Sequence, residues 1–414
     1  MNKPLPEDPM MRELVVMARR HQMTRRAALA GASATAAALA LAACSPAGSS
    51  NATKLTPAED VSATDKTLVW HNWPGYMDES ADGKTYPTLA RFEKQSGIKV
   101  EYKIEIDDNN TYYGKIKDQL ALGQDIGADL ACPTEWMVAR LINLGYVQTF
   151  DDAQLPNKKN LAPAYLGASF DPKREKSLPW QGILAGLGYN KKAYKEATGK
   201  DAPKTVDDLW AAELKGRVGV LSEMRDTLGL ILLAQGIDIT SESSLTEAAF
   251  MNALDLLSAK INDGQIARIK GNSYLQDLKN GDTIAAITWS GDITSLNAEV
   301  GGEQFGFVFP ESGATISADS FIIPMGATHK TNAEQLMNYY YDPVNAAELS
   351  AWVNFVTPVV GAKEEAIKLD PKLAENQLIF PSAETLKQTH AFRALSGAQE
   401  QKFTAAFQKI LLGA

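Results

Sequence analysis

Hydrophobic and polar positions follow two different periods along the chain after residue 66, and the two periods interleave. Strict alternation from Ile98 to Ile106 predicts a β-strand, and the apolar run TLVWHNW, from Thr67, predicts another. Between them the helical pattern YPTLARFEKQSG ends at Gly97, and a second helical pattern, NTYYGKIKDQLALG, ends at Gly123 before the short strand ADLAC. This β-α-β-α-β order predicts a parallel sheet with ligands at the carboxyl ends of its strands.

A second α/β region begins near LAGLGYNKKAY. The pattern TVDDLWAAELKG predicts a helix with Thr205 as its N-cap, and GRVGVL predicts a strand. The helices DTLGLILLAQG and LTEAAFMNALDLLSAKI and the strand TIAAITW follow, then the strand SADSFIIP and helices at TNAEQLMNYYY and PVNAAELSAWV. With 414 residues, the chain predicts an α/β protein of two lobes.

The chain begins with a predicted export signal over residues 1–43. Arg25 and Arg26 stand before an Ala/Leu run that is short for a membrane span but typical of a signal peptide. The run ends in L-A-A-C, which resembles a bacterial lipobox with Cys44 as the lipidated first residue, and T-R-R-A-A-L resembles a twin-arginine signal. Residues 44–65 are a predicted flexible linker. An uncleaved membrane anchor is the alternative, and translation from Met1 or from Met23 stays open.

The net charge restricts the class of partner. The whole chain carries −9, and residues 1–43 hold six Lys or Arg and three Asp or Glu, so the remainder carries −12. This acidity argues against a nucleic-acid partner and favours cationic ligands. Only Cys132 remains beside Cys44, so no internal disulfide is expected.

Patterns of nucleotide, metal and hydrolase sites are weak. Gly83-Lys84-Thr85 resembles the end of a phosphate-binding loop, but Asp78 stands where that motif needs glycine. His71, His329 and His390 are far apart in sequence and show no ligand spacing. Neither a nucleophile elbow nor a His-based triad is visible. We therefore expect no cofactor, no metal and no enzyme activity.

An aromatic or acidic residue recurs just past the predicted strand ends. The set is Trp73, Tyr76, Trp136, Glu223, Asp226, Trp289, Asp292, Asp319 and Phe355. Trp289 as a core residue, and Asp226 and Asp292 as helix N-caps, are the alternatives. As a set they predict a box of rings and acids, in which Trp73 and Tyr76 stay outside the core.

Such a box suits an organic cation. An ammonium over a Trp face gains roughly 0.5 to 2 kcal/mol, and inside a closed cleft it needs a carboxylate to receive it. Glu223 and Asp226 would serve one end, and Asp292 and Asp319 the other end or the middle. We expect Arg225 to point away as a salt-bridge partner; inside the cleft it would favour an anionic ligand.

Several stretches make the chain resemble the spermidine/putrescine-binding proteins of bacterial ABC transporters, which are extracellular solute-binding proteins. The stretches are NWPGY, SGIKVEY, DLACPTEWMVARLINLGYVQTFD, LPWQGILAGLGYN, LWAAELKGRVGVLSEMRDTLG, AITWSGD, FPESGATISADSFIIP and NFVTP. The resemblance covers nearly all of the chain after residue 66.

The resemblance implies a two-lobed, hinged periplasmic-binding-protein fold of type II. Lobe 1 would comprise residues 66–185 and 317–363, and lobe 2 residues 190–313 and 368–414. The lobes would be joined by crossings near 185–190 and 313–317 and by a third late in the chain. The implied partners are a polyamine and a membrane permease. The protein itself would be a lipid-anchored monomer. The alternatives are a binding protein of the same fold for a different solute, such as an oligosaccharide, another organic cation or an iron chelate, and a lipid-anchored hydrolase.

The resemblance also implies ligand-binding positions. The W-x-x-Y pair is Trp73 and Tyr76, the Pro-Ser/Thr-x-aromatic turn supplies Thr134 and Trp136, and the acidic pair is Glu223 and Asp226. Trp289, Asp292 and Asp319 follow as ring wall, amine acceptor and strand acid. Three positions depart from the family pattern: Ser317 replaces an aromatic, Phe355 replaces a frequent Tyr, and the segment near Phe392 aligns poorly with an expected polar residue.

Overall fold

The computed structural model describes residues 55–80 and 82–411. The predicted export signal and the predicted lipidation site Cys44 lie outside the described residues, as does the first part of the linker. No helix in the described part of the chain has the length and apolar character needed to cross a membrane.

Strands and helices alternate over the described residues. The strands are β1 (Thr67–Asn72), β2 (Lys99–Ile104), β3 (Leu130–Ala131), β4 (Leu178–Asn190), β5 (Val218–Leu221), β6 (Ile266–Lys270), β7 (Ala285–Trp289), β8 (Phe305–Val308), β9 (Ala314–Phe321) and β10 (Thr389–Ala391). The α-helices are α1 (Pro87–Ser96), α2 (Asn109–Ala121), α3 (Glu135–Asn143), α4 (Lys191–Thr198), α5 (Met224–Ala234), α6 (Glu247–Asn262), α7 (Tyr274–Asn280), α8 (Ser290–Val300), α9 (Lys330–Tyr340), α10 (Pro343–Val353), α11 (Ala362–Leu369), α12 (Pro371–Glu375), α13 (Ala383–Lys387) and α14 (Gly397–Leu411).

The first sheet has the order β2-β1-β3 and is parallel throughout, which confirms the predicted β-α-β-α-β unit. Local sequence sets its helix ends. Gly97 ends α1 in the left-handed conformation at φ 75°, which glycine adopts without a Cβ clash. Asp108 caps α2 by accepting a hydrogen bond from the backbone N–H of Thr111 at 2.8 Å. The carboxyl ends of β1 and β3 therefore lie side by side.

The second sheet has the order β10-β9-β4-β7-β5-β6, and β8 also pairs with β4. β4 runs antiparallel to β7, β8 and β9, and Ala185 pairs with both Trp289 of β7 and Thr315 of β9. A Cβ at Gly188 would lie 2.5 Å from the Thr288 hydroxyl, so only glycine fits where these strands pack. The predicted crossings at 185–190 and 313–317 lie within β4 and at the start of β9. The lobe boundaries stay a prediction.

The two sheets meet through the chain around β3 and β9. Ala131 forms an isolated antiparallel bridge with Ile322, and Thr134 forms another with Asp319. Trp70 of β1 packs edge-on against Trp180 of β4, with ring centroids 5.3 Å apart. The turn after β3 therefore lies next to β9.

Two local predictions differ from the structure. The stretch predicted as one helix after Thr205 forms two 3-10 segments, Val206–Trp210 and Ala212–Leu214, although Thr205 and Asp208 do make a capping box at its start. Ile104 is 53% exposed, whereas strict alternation placed it with the buried positions. β2 is the edge strand of the three-stranded sheet, where no further strand of the described chain pairs with it.

Candidate functional site

A cavity of about 1010 Å³ opens where the carboxyl ends of β1, β3, β5 and β7 approach β9. Nine of the ten predicted ligand-binding residues line it: Trp73, Tyr76, Thr134, Trp136, Glu223, Asp226, Trp289, Asp319 and Phe355. Asp292 is the exception. Residues predicted from distant segments of the sequence thus share one opening.

Trp73 and Tyr76 follow β1 on a Pro-Gly turn in which Gly75 has a φ of 73°. The indole Nε1 of Trp73 donates a hydrogen bond to the backbone oxygen of Cys132 at 2.8 Å. Both rings are buried, at 5% and 4% exposure, so the prediction that they stay outside the core is wrong. They pack on the core and still form a wall of the cavity, because the turn lies at its edge.

Asp319 lies at the buried end of the cavity and is 1% exposed. Its Oδ1 accepts a hydrogen bond from the Thr134 hydroxyl and its Oδ2 accepts one from the Tyr76 hydroxyl, each at 2.6 Å. Burial raises the pKa of this carboxyl to about 7, although both hydrogen bonds favour the charged form. A carboxylate offers about four acceptor positions, so two remain for a ligand.

Asp226 is a second buried acid, on the first turn of α5. Its Oδ2 accepts a hydrogen bond from the indole Nε1 of Trp289 and its Oδ1 accepts one from the Thr315 hydroxyl, each at 3.0 Å. Burial raises its pKa, while these two donors oppose the rise. The N-cap position of α5 belongs to Glu223, so the alternative of Asp226 as an N-cap is wrong.

Glu223 connects the two sides of the cavity. Its Oε1 accepts a hydrogen bond at 3.1 Å from the side-chain amide of Asn109, and the same amide donates to the Thr134 hydroxyl at 2.9 Å. Burial raises the pKa of Glu223 to about 8, helped by the neighbouring charges of Asp108 and Asp226. A cation beside this carboxyl would favour its charged form.

Asp292 lies behind the wall of the cavity. Its Oδ2 accepts a hydrogen bond from the Tyr274 hydroxyl at 2.9 Å, and that hydroxyl accepts one from the backbone N–H of Trp289 at 3.1 Å. Burial raises the pKa of Asp292 to about 7. It occupies the first turn of α8 after the N-cap Trp289, so it is no N-cap either. In this structure Asp292 supports the position of Trp289 rather than lining the cavity.

Arg225 forms the predicted salt bridge and also lines the cavity. Its Nη2 lies 2.5 Å from Oε2 of Glu400, and its guanidinium carbon lies 4.5 Å from the centre of the Trp136 ring. The sequence analysis predicted that Arg225 points away from the cleft, and this prediction is wrong because Arg225 lines the cavity.

Three hydrogen-bond donors around the site had no signal in the sequence, and one of them, Thr315, lines the cavity. Asn109, Thr315 and Tyr274 donate to the predicted acids, and each lies on an element whose periodic pattern gives no reason to single it out. Ser317 and Phe392, two of the departures from the family pattern, line the cavity. No cluster of His, Cys, Asp and Glu suited to a metal ion occurs among the described residues.

Comparisons with known proteins identify the family of the chain. Residues 88–375 match the model of the family described as bacterial extracellular solute-binding protein. The chain is 26% identical to the spermidine/putrescine-binding periplasmic protein of Escherichia coli, over 84% of this chain and 92% of the relative. It is 28% identical to the putrescine-binding periplasmic protein PotF of the same organism, over 85% and 93%.

The fold is also that of solved structures. The spermidine/putrescine ABC transporter substrate-binding protein PotD from Streptococcus pneumoniae superposes with a TM-score of 0.67 at 24% identity, over 84% of this chain and 99% of that one. This similarity confirms the predicted two-lobed α/β fold of periplasmic binding proteins.

Proposed function

Because the chain belongs to the bacterial extracellular solute-binding protein family, we propose that it captures a polyamine of the spermidine/putrescine class in this cavity and delivers it to the permease of an ABC transporter. The family consists of binding proteins, so the function is binding rather than catalysis. The hydrolase alternative has no further support.

The environment of Asp319 carries the proposal. Asp319 is a buried carboxylate that accepts two hydrogen bonds from the described residues, and the ring of its donor Tyr76 packs against Phe355 with ring centroids 4.8 Å apart. Such a carboxylate is suited to receive an ammonium group. Glu223 and Asp226 line the same cavity from β5 and α5, so a flexible cation could reach more than one acid. The printed names of the two Escherichia coli relatives support the same class of ligand.

A two-lobed fold supports capture by closure. A ligand that touches residues on both sides of the cleft stabilises the closed form by its higher affinity for that form. Asn109, in the predicted lobe 1, donates a hydrogen bond to Glu223, in the predicted lobe 2, which supports a closed arrangement of the two lobes. The closed form would be the one that the permease recognises.

The family description places the working protein outside the cytoplasm. We propose in addition that lipidation at Cys44 holds it near the permease as a monomer, in line with the L-A-A-C sequence. A Cys44→Ser protein should then move from the membrane fraction to the soluble fraction. Retention of that variant in the membrane fraction would contradict the lipid anchor and leave the ligand proposal untouched.

Calorimetric titration of the exported domain with spermidine and putrescine tests the proposal. We expect one-site binding, and about 2.7 kcal/mol of stabilisation against unfolding at a free ligand concentration one hundred times Kd. The matched control for putrescine is 1,4-butanediol, which has the same carbon chain and no charge. The ammonium site would be contradicted if putrescine and 1,4-butanediol bound equally tightly, or if neither of them bound.

The second candidate is that this binding protein takes a different solute. Arg225 lines the cavity, and an arginine there favours a ligand with an anionic group. A panel of an oligosaccharide, a cationic amino acid and an iron chelate, titrated beside spermidine, separates these cases. A panel member that bound while the polyamines did not would replace the polyamine proposal.

A further inference from the structure

The cavity is charged differently at its two ends. Its inner end is acidic and is lined by Tyr76, Asp226 and Asp319, each of which is less than 10% exposed. Its outer end runs along α3 and α14 to exposed residues such as Gln401. Three arginines line the same cavity, Arg140, Arg225 and Arg393, and no sequence pattern predicts Arg140 or Arg393 there.

Arg140 and Arg393 have no carboxylate partner among the described residues. The guanidinium of Arg140 lies 4.3 Å from the centre of the Tyr113 ring, one turn along α3 from Trp136. Arg393 donates to the backbone oxygen of Ala394 at 2.8 Å and to a side-chain oxygen of Gln399 at 3.3 Å. Both guanidinium groups therefore keep donors for an anion.

Arg225, the third arginine that lines the cavity, is already paired with a carboxylate. Its carboxylate partner Glu400 is the single acid that lines the cavity on α14. Glu135, at the start of α3, also lines the cavity and is paired with Arg174 at 2.6 Å, so Arg140 and Arg393 are the two cavity arginines that no carboxylate of the described residues neutralises. A ligand carrying only ammonium groups would be repelled there, whereas a carboxylate would accept paired hydrogen bonds from a guanidinium.

The size of the cavity also exceeds the need of a plain polyamine. Its volume of about 1010 Å³ is at the upper end of cavities that enclose drug-sized ligands, roughly 300–1,000 Å³. Ser317 lines the wall at a position where an aromatic ring was expected. Room therefore remains beyond the space that an unbranched triamine occupies.

We propose that the ligand is a polyamine conjugate with an anionic tail. Its ammonium groups lie among the acids of the inner end, and its carboxylate lies at the outer end beside Arg140 and Arg393. This inference rests on the proposed function, because it takes the inner end as an ammonium site and adds a second group to the ligand.

Two probes with the same backbone test the proposal by calorimetry. N-Succinylspermidine carries a terminal carboxylate, and N-butanoylspermidine carries a methyl group in its place. We expect the succinyl compound to bind at least about tenfold more tightly, as one charge-assisted hydrogen bond implies. Equal Kd values, or tighter binding of the butanoyl compound, would overturn the proposal.

The arginines are tested by the ratio of the two Kd values within each protein. In the Arg140→Gln, Arg393→Gln double variant the ratio should fall to about one. The matched control removes two exposed charges elsewhere, Lys173→Gln with Lys192→Gln, whose side chains are 83% and 84% exposed. It should keep the ratio of the unaltered protein. A ratio unchanged in the arginine variant would assign the carboxylate to another contact and overturn the proposed site.

Two further arms separate the remaining cases. Free succinate added to N-butanoylspermidine should not reproduce the gain; if it did, the anion would be a separate ligand and the single-ligand proposal would fail. Spermidine alone reports on the proposed function. If spermidine binds and the succinyl compound has no advantage, only the present inference fails; if none of the three amines binds, both proposals fail.

Discussion

Asp171 and Asp319 are both buried carboxylates, yet their surroundings differ. Asp171 accepts four hydrogen bonds at 2.8 to 2.9 Å, three from the backbone N–H groups of 175–177 and one from the Ser177 hydroxyl. Asp319 accepts two, from the hydroxyls of Thr134 and Tyr76. The first carboxylate is saturated by its own loop and stabilises that loop. The second keeps acceptor capacity that a ligand can fill.

The largest expected effect comes from removing the charge of the unsaturated acid. In Asp319→Asn the ligand ammonium meets a neutral amide, so spermidine Kd should rise by about 30-fold to 1000-fold, equivalent to about 2 to 4 kcal/mol. Calorimetric titration measures this. Asp255→Asn, on the exposed face of α6, is the matched control and should keep its Kd. A change below about threefold in Asp319→Asn would remove this residue from the site.

The saturated acid should show the opposite behaviour. In Asp171→Asn an amide N–H group replaces one acceptor and faces backbone donors, so the free energy of unfolding should fall by about 2 to 3 kcal/mol. Denaturant titration measures the loss. Spermidine Kd of the folded fraction should not change. If this variant lost affinity and kept its stability, the distinction between the two acids would be wrong.

The pH dependence of binding sharpens the same comparison. Burial raises the pKa of Asp319 to about 7 and that of Glu223 to about 8, so these acids bind protons that a cation must displace. Spermidine affinity should therefore fall about tenfold or more from pH 8 to pH 6, while its amines stay charged. Titration in buffers of different ionisation enthalpy should show proton release. A flat profile would contradict protonated acids in the free cavity.

The free energy of unfolding of the ligand-free protein should also depend on pH through Asp319. The pKa of Asp319 is raised above its usual value near 3.8, so the folded state binds more protons than the unfolded state between about pH 4 and pH 7. Stability from this group falls as pH rises through that window, and bound spermidine offsets the loss. The Asp319→Asn protein should lack this part of the pH dependence in thermal melts.

The smallest expected effect concerns the ring that orients Asp226. Trp289→Phe removes the indole donor to Asp226 and weakens the ring wall, so Kd should rise about three- to tenfold. Trp210→Phe is the matched control, since Trp210 does not line the cavity and its buried Nε1 has no hydrogen-bond partner among the residues that the structure describes. Equal effects of both substitutions would show that general packing, not the contact with Asp226, is responsible.

Much of the fold was readable from periodicity. Alternation and helical stripes predicted the parallel sheet of β1, β2 and β3, and the rule that ligands bind at carboxyl strand ends brought Trp73 and Thr134 to the cavity. Asp319 lines the same cavity from within β9, so the prediction that it lies past a strand end is wrong. These predictions depend on local pattern and on one topological rule. Neither needs knowledge of which distant side chains touch.

The rest depended on contacts between distant segments. Asn109 meets Glu223 across 114 positions of sequence, and nothing local distinguishes that asparagine from others at helix starts. Asp292 was predicted to line the site because it follows Trp289, but α8 turns its carboxylate toward Tyr274. Arg140 shares α3 with Trp136, and Arg393 lies between β10 and α14, but no sequence pattern singled out either arginine. Helix direction and long-range contact, rather than composition, decided these outcomes.

The position of Trp73, Trp136 and Trp289 has a practical consequence. The chain has seven tryptophans, and these three line the cavity. Indole emission responds to nearby charge and to solvent, so an arriving ligand should change the colour and intensity of the protein's own fluorescence. Binding of a solute could therefore be followed by the intrinsic tryptophan fluorescence of the protein, without any attached dye.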